Sequence, residues 1–274
     1  KLLTKEIKQL FPVINFDLLI GLPRQTEKSI EQTIKSVAEL QPSQLQTMYM
    51  HYKPDTRRYM TNMVRNTALP DFFDRRSIFL KAKQKLEENG YLRAGFESYA
   101  LKKDELSEAI NHKKAYYNSL GTQTGNSINF IAVGSSAHGC FGEYYFQNYY
   151  ERDKYTKSVL EGKFPIYRGL KLNKDDIIRR DIIKILRTYF FISFQEIEKK
   201  YDIDFLKYFN KEISLLKEMD SDGLLKISDS QIELTDLGQH LSPNICEVFD
   251  TYNLRERFND NIKIEPQNFS YANI

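Results

Sequence analysis

Cysteine is nearly absent: the 274 residues contain two, Cys140 and Cys246, far apart in sequence. So sparse a set excludes a disulfide framework and fits a reducing compartment. It also excludes a four-iron cluster held by this chain alone, because such a cluster needs three closely spaced thiolates. No run of about 18 apolar residues occurs, so no segment reads as a membrane-spanning helix. No basic-then-apolar leader opens the chain, and the cytoplasm is the expected compartment. A Ser/His/Asp order, a metal-spaced histidine set, a phosphate-binding loop, internal repeats and low-complexity tracts are all missing as well. The first residue is Lys1 rather than Met, inside what reads as a helix end, so we expect the sequence to be a trimmed or truncated part of a longer polypeptide.

What remains is a length suited to two modules with ample chain to bury their cores. Charge is unevenly spread between them. From Lys174 to Asp250 there are 11 Lys/Arg against 16 Asp/Glu, a balance of −5; the other 29 basic and 21 acidic residues carry +8, which restores the overall +3. A basic front favours an anionic small ligand there, and an acidic rear disfavours nucleic acid.

Val13 to Ile20 reads as a buried strand stopped by Gly21-Leu22-Pro23. Ile30, Ile34, Val37 and Leu40 then recur at helical spacing over 28–40, and Gln44 to Tyr52 reads as a second strand. Strand, helix, strand at this spacing is a βαβ unit with parallel strands. A longer helix is expected over 71–89, with Phe72, Phe79, Ala82 and Leu86 on one face and Asn89-Gly90 closing it. Tyr91 to Ala100 reads as a further strand, and Ile128 to Val133 as another, opening into the small-residue loop Gly134-Ser135-Ser136-Ala137-His138-Gly139. After a boundary near Gly169 to Asn173, helices are expected over 174–186, 194–201 and 205–219. A hairpin follows, with runs 224–228 and 231–235 joined by Asp229-Ser230. A last helix spans 236–250, and the tail from Asn259 to Ile274 loses helical periodicity, as expected of a segment that is mobile or clasps another surface. The fold class is therefore α/β, with a front module over 1–170 and a mostly helical module resembling a winged helix over 171–274.

Asp17 lies near the carboxyl end of a parallel strand, where barrel enzymes place working groups, and a carboxylate there can accept hydrogen bonds from ribose hydroxyls. The alternative is a carboxylate that caps the Gly21 turn or pairs with an arginine. His51 falls at the next strand end, where a histidine satisfied by backbone is the plainer reading. His138 sits in the small-residue loop, which lets a ligand approach backbone amides closely. Arg57, Arg58, Arg93, Lys113, Lys114 and Arg168 are the front-module cations that can face a cleft, and guanidinium groups match carboxylates bidentately. The cluster Tyr144-Tyr145-Phe146 with Tyr149-Tyr150 can stack on a flat ligand, although packing under a loop explains it equally well.

Several blocks in order across nearly the whole chain resemble the oxygen-independent coproporphyrinogen III oxidases, radical S-adenosylmethionine enzymes of haem biosynthesis. They are Asp17-Leu18 with Gly21-Leu22-Pro23 and Gln25-Thr26; Gly90-Tyr91; Lys103 to Leu106; Gln147-Asn148; Arg168-Gly169; Asp176 with Ile178-Arg179-Arg180; Asp222-Gly223-Leu224; and Phe249 to Tyr252. The resemblance implies that the front module is the last part of a partial (βα) barrel. It also implies that the CxxxCxxC motif of a 4Fe-4S cluster lies in an N-terminal half preceding Lys1. By the same resemblance Asp17 would contact the ribose of a second S-adenosylmethionine, while His51 and His138 would touch the first; among the six cations Arg168 is expected to meet the substrate. In that family a deoxyadenosyl radical takes a propionate β-hydrogen, and loss of carbon dioxide leaves a vinyl group. Where the family usually reads Asn-Phe-Gln-Gly-Tyr, this chain has Asn118-Ser119-Leu120-Gly121-Thr122, which leaves the exact tetrapyrrole open.

Three functions follow for testing: a monomeric radical oxidoreductase acting on a tetrapyrrole, with haem-opening methylating relatives as a variant; a haem chaperone of the same superfamily; and a nucleic-acid-binding winged helix, which the acidic rear module opposes. The chain by itself is expected to have no radical activity.

Overall fold

The computed structural model describes residues 2–52, 59–64, 67–125 and 129–252. The expected tail at 259–274 and Arg57 and Arg58 lie outside the described residues. The chain divides into two compact units, one over Lys1–Lys113 and one that begins at Lys114.

In the first unit, α1 (Leu2–Leu10) leads into β1 (Asn15–Ile20), α2 (Glu27–Leu40) and β2 (Gln44–Tyr49). β1 and β2 pair in parallel, with Asp17 opposite Gln46 and Ile20 opposite Tyr49. The helix between them starts at a capping box, in which Thr26 and Ser29 satisfy each other's backbone amides. It ends at Gln41 in the left-handed region, φ 48°. Ile30, Ile34 and Val37 are its buried stripe, as the spacing predicts.

After the short α3 (Tyr59–Met63) comes α4 (Phe72–Glu88), capped by the Asp71 carboxylate on the Asp74 amide. Its buried face is Ile78, Phe79, Ala82 and Leu86, whereas Phe72 is 57% exposed. Phe72, the first residue of the helix, is left outside the buried face, which corrects its expected place on the apolar face. The expected strand over 91–100 is a hairpin instead, β3 (Tyr91–Arg93) and β4 (Ser98–Leu101). Gly95 turns the chain at φ 92°, and Arg93 donates to the carbonyls of Gly95 and Phe96. The sheet order is β1-β2-β4-β3, with β4 antiparallel to β2. One sheet face, with Ile20, Leu45, Tyr91 and Tyr99, packs on α2 and α4. Burying each such large side chain contributes roughly 1.5–3 kcal/mol. α5 (Glu105–Asn111) closes this unit, capped by Asp104, which also accepts from Gln44 Nε2 at 2.9 Å.

The second unit opens with a tight hairpin, β5 (Ala115–Asn118) and β6 (Gly121–Thr124), whose turn Asn118 caps by accepting from the Leu120 amide. A three-stranded antiparallel sheet follows: β7 (His138–Phe141), β8 (Tyr144–Asn148) and β9 (Ile166–Lys171), with α6 (Arg152–Leu160) before β9. The strand expected over 128–133 is reduced, among its described residues, to a single bridge from Phe130 to Cys140. Ile131 and Val133 are 70% and 87% exposed, so the apolar run finds no sheet to bury it.

α7 (Lys174–Tyr189) begins at the Asn173/Asp176 capping box. β10 (Phe191–Ser193), α8 (Phe194–Tyr201), α9 (Phe205–Tyr208) and α10 (Asn210–Ser221) lead to β11 (Leu225–Ile227) and β12 (Gln231–Leu234). The single helix expected over 205–219 is broken at Phe209, and that over 236–250 is split into α11 (Asp236–His240) and α12 (Ser242–Glu247). Phe209 leaves helical geometry (φ −103°, ψ 32°) while its ring packs against Phe205 and Phe249. Pro243 in the first turn of α12 removes a backbone donor and ends continuity from α11. The hairpin β11–β12 pairs as the alternation predicts, with β10 added on its other edge. Ile182, Leu186, Phe194, Phe205, Leu216 and Ile232 form the core of this part.

A buried ionic cluster joins α7 to the β7–β8 turn. Arg180, 7% exposed, donates to Asp181 at 3.0 Å and to the Gly142 carbonyl at 3.2 Å. Asp181 also accepts from Lys200 at 2.6 Å and Tyr201 at 2.5 Å. These donors hold its carboxyl below the usual range against the opposing effect of burial.

Candidate functional site

Residues 15, 17 and 19 of β1 point away from the helices, and Asp17 is exposed on that face. Asn15 Nδ2 donates to Asp17 Oδ1 at 2.7 Å, so one carboxylate oxygen is oriented by its strand neighbour. The turn that ends β1 is not capped by Asp17. Gln25 does this work: its Oε1 accepts from the amides of Gly21 (2.6 Å) and Leu22 (3.3 Å), and its Nε2 donates to the Leu19 carbonyl. Gly21 itself has φ 87°, and an added Cβ would lie 2.8 Å from Arg75 Cδ. Its conformation favours glycine, and an added Cβ would also push the flexible Arg75 side chain aside. His51 follows the end of β2 and is exposed, two residues beyond Tyr49. His51 thus lies just past the carboxyl end of β2, whereas Asp17, expected near the carboxyl end of its strand, is the third of six residues in β1, opposite Gln46, because the strand starts at Asn15 and not at Val13.

His138 and Arg168 belong to the second unit. They occupy one cross-strand row, His138 opposite Gln147 and Gln147 opposite Arg168. Arg168 Nε donates to Gln147 Oε1 at 2.8 Å, and Gln147 Nε2 donates to the Ser136 carbonyl at 3.0 Å. Burial, then the nearby Arg168 charge, holds the His138 imidazole below its ordinary value, so it is neutral at pH 7. The small-residue loop ahead of His138 is a braced structure: Gly134 (φ 110°) and Ser136 (φ 63°) take left-handed conformations. Tyr155 Oη accepts from the Gly134 amide, and Asn148 Nδ2 donates to the carbonyls of Ala132 and Gly134.

The remaining candidates have structural roles or none defined. Arg93 holds its own turn, and Lys114 is exposed. Tyr144, Tyr145 and Phe146 form part of β8, with Tyr145 half-buried and Tyr144 48% exposed. Both thiols are sealed. Cys140 is 0% exposed with its thiol pushed up by burial, and Cys246 is 4% exposed with its thiol pushed up to about 12. Among the described residues no group of three or more His, Cys, Asp or Glu could hold a metal ion. No helix of the described residues is long and apolar enough to cross a membrane.

Sequence reading missed Gln25 and Gln147 as site builders. The only signal was their place in the ordered blocks, since neither amide's partners follow from local spacing.

Comparison with known proteins adds an independent line. A family model described as the HemN C-terminal domain matches residues 172–241. The oxygen-independent coproporphyrinogen III oxidase of Escherichia coli (strain K12) is 34% identical over 247 residues, 90% of this chain and 54% of that protein. The enzyme of that name from Thermostichus vulcanus is 30% identical over 88% of this chain and 74% of its own length. A solved structure, "Coproporphyrinogen III oxidase (HemN) from Escherichia coli is a Radical SAM enzyme", superposes with a TM-score of 0.84 at 33% identity, over 91% of this chain and 58% of that one. The chain spans about half the length of the first curated relatives it matches, and its mixed α/β fold is that of the solved relative.

Proposed function

We propose the function from one premise: this chain belongs to the oxygen-independent coproporphyrinogen III oxidase family. It is the portion of a radical S-adenosylmethionine oxidoreductase that converts propionate side chains of a tetrapyrrole to vinyl groups in haem biosynthesis. The observation that carries this reading is a likeness in both sequence and fold over 91% of the chain.

Within that reading, residues 1–170 are the closing part of an incomplete (βα) barrel with the strands that follow it. Residues 171–274 are a helical domain resembling a winged helix; the start of the matched family model at residue 172 supports this division. The parent is a cytoplasmic monomer with no nucleic-acid partner.

The residues present fit S-adenosylmethionine better than an iron–sulfur cluster. Asp17 would hold a ribose diol, because an exposed carboxylate oriented by Asn15 accepts two hydroxyl hydrogen bonds without a burial cost. Each taken within its own unit, His51 and His138 are proposed contacts of the other S-adenosylmethionine, and a neutral His138 can serve without adding charge. S-adenosylmethionine supplies the one-electron chemistry of this family when bound. Arg168, aligned by Gln147, would pair with a substrate carboxylate, which keeps the propionate ionised and bound until its carbon dioxide departs. A 4Fe-4S cluster does not fit the two thiols. Both are buried and held protonated, whereas cluster ligands are thiolates. The cluster therefore belongs to residues outside this sequence, and this chain by itself is inactive.

The test separates catalysis from carriage. Anaerobic incubation of the intact enzyme with coproporphyrinogen III, S-adenosylmethionine and a reductant should yield a vinyl-bearing product. Tight stoichiometric haem binding without turnover would replace this reading with that of a haem carrier.

A further inference from the structure

We propose that Gln147 is a positioning residue of this site. It sets the plane of the Arg168 guanidinium and ties it, through the Ser136 carbonyl, to the loop that presents His138.

The carboxamide is 2% exposed and makes two hydrogen bonds of opposite sense, accepting from Arg168 Nε and donating to Ser136 O. Those partners fix its orientation. A flipped amide would set donor against donor at Arg168 and acceptor against acceptor at Ser136, leaving buried groups unmade. Only a carboxamide of this length offers both functions. Ionised glutamate would lack the donor, and methionine would lack the donor and keep only a weak acceptor.

The backbone serves the same end. The β8–β9 register shifts between Gln147 and Asn148, an irregularity of the kind that re-aims side chains beside functional sites. The extra residue is Tyr167 of β9; on β8 two successive buried amides reach the 132–136 loop, Gln147 at Ser136 and Asn148 at Ala132 and Gly134. Among the described residues the Asn148 side chain bonds to the loop, so it braces. Gln147 alone also holds a cation, so it couples loop and guanidinium. The Arg168 charge in turn acts on His138, its neighbour two strands away in the same row. The substrate consequence rests on the reading of Arg168 as a carboxylate contact; the coupling itself does not.

The test therefore uses this chain with no ligand. His138 is titrated by NMR in the wild type, Gln147→Met, Arg168→Met and the double variant. Arg168→Met should raise the His138 midpoint, since loss of a nearby positive charge favours the imidazolium. Gln147→Met should raise it in the same direction, and the double variant should move no further than Arg168→Met. A His138 midpoint that follows Arg168→Met but ignores Gln147→Met would overturn the proposal. Should Gln147→Met not fold, the Gln147 side-chain amide signals decide. They should shift in Arg168→Met, a change at a half-buried side chain, and unshifted signals would equally overturn the coupling. A chain that acted on some other substrate would leave these titrations untouched.

Discussion

Substituting Gly238 by alanine would place a methyl carbon 1.7 Å from the Leu224 carbonyl oxygen and 2.7 Å from its carbonyl carbon. Those are backbone atoms, so no rotamer change relieves the overlap, and α11 must shift by about 1.5 Å to restore van der Waals distance. The Leu224 carbonyl is already engaged. It accepts from the Thr235 amide at 3.0 Å and from the Thr235 hydroxyl at 3.1 Å. Thr235 also caps α11 by accepting from the Gly238 amide. Overpacking costs about 1–3 kcal/mol, and weakening these hydrogen bonds adds about 0.5–1.5 kcal/mol each, so roughly 3–5 kcal/mol is expected in total. The control is Gly223→Ala. There φ is 74° but no atom lies within 4 Å of the added carbon, so only backbone strain of about 1 kcal/mol applies. Urea titrations followed through the amides of Ile182 and Leu186 report this unit by itself. Equal losses in the two variants, or a Gly238→Ala loss below about 1 kcal/mol, would refute the packing argument.

Other perturbations separate fold from function. Asp181→Ala leaves Arg180 buried without its carboxylate, and a loss of about 3–5 kcal/mol is expected in the same titration. Asp17→Ala removes an exposed group, so stability should stay within about 0.5 kcal/mol, while S-adenosylmethionine affinity of the intact enzyme falls, as calorimetry would register. The Cys246 thiol has a folded value of about 12 against an ordinary 9.0, so the fold binds the extra proton between those limits. Stability from this group is complete below pH 9 and declines as pH rises toward 12, visible as a falling urea midpoint. Iron and sulfide added anaerobically to this chain should produce no charge-transfer absorption, and a stable four-iron spectrum would contradict the assignment of the cluster to residues elsewhere.

Elements were legible where local signals agreed. α8 matches its expected span, 194–201, because Ser193 caps its start and Asp202 closes it in a left-handed conformation. The β1-α2-β2 unit followed from the apolar run before Gly21, the Gly21 stop and the Ile30/Ile34/Val37 stripe, although the first strand, expected to be buried, alternates and leaves Val13 and Leu19 41% and 43% exposed. The break at Phe209 was invisible because apolar periodicity continues through it, and what bends the chain is packing against Phe249, forty residues on. β7, β8 and β9 were unreadable as a sheet because β9 is exposed along most of its length and carries no alternation. At the candidate site, Asp17 was singled out for an expected place near a strand end, but it stands third of six residues in β1, because where a strand begins is poorly marked in the sequence. Gln147 was not, since its work exists only once three strands are in register and Ser136 has turned left-handed.

The most direct measurement is anaerobic release of carbon dioxide from coproporphyrinogen III by the intact enzyme, comparing the wild type with Asp17→Asn. The account predicts release by the wild type and its loss, at unchanged stability, in the variant. Silence from the wild type, or equal release from both, would contradict it.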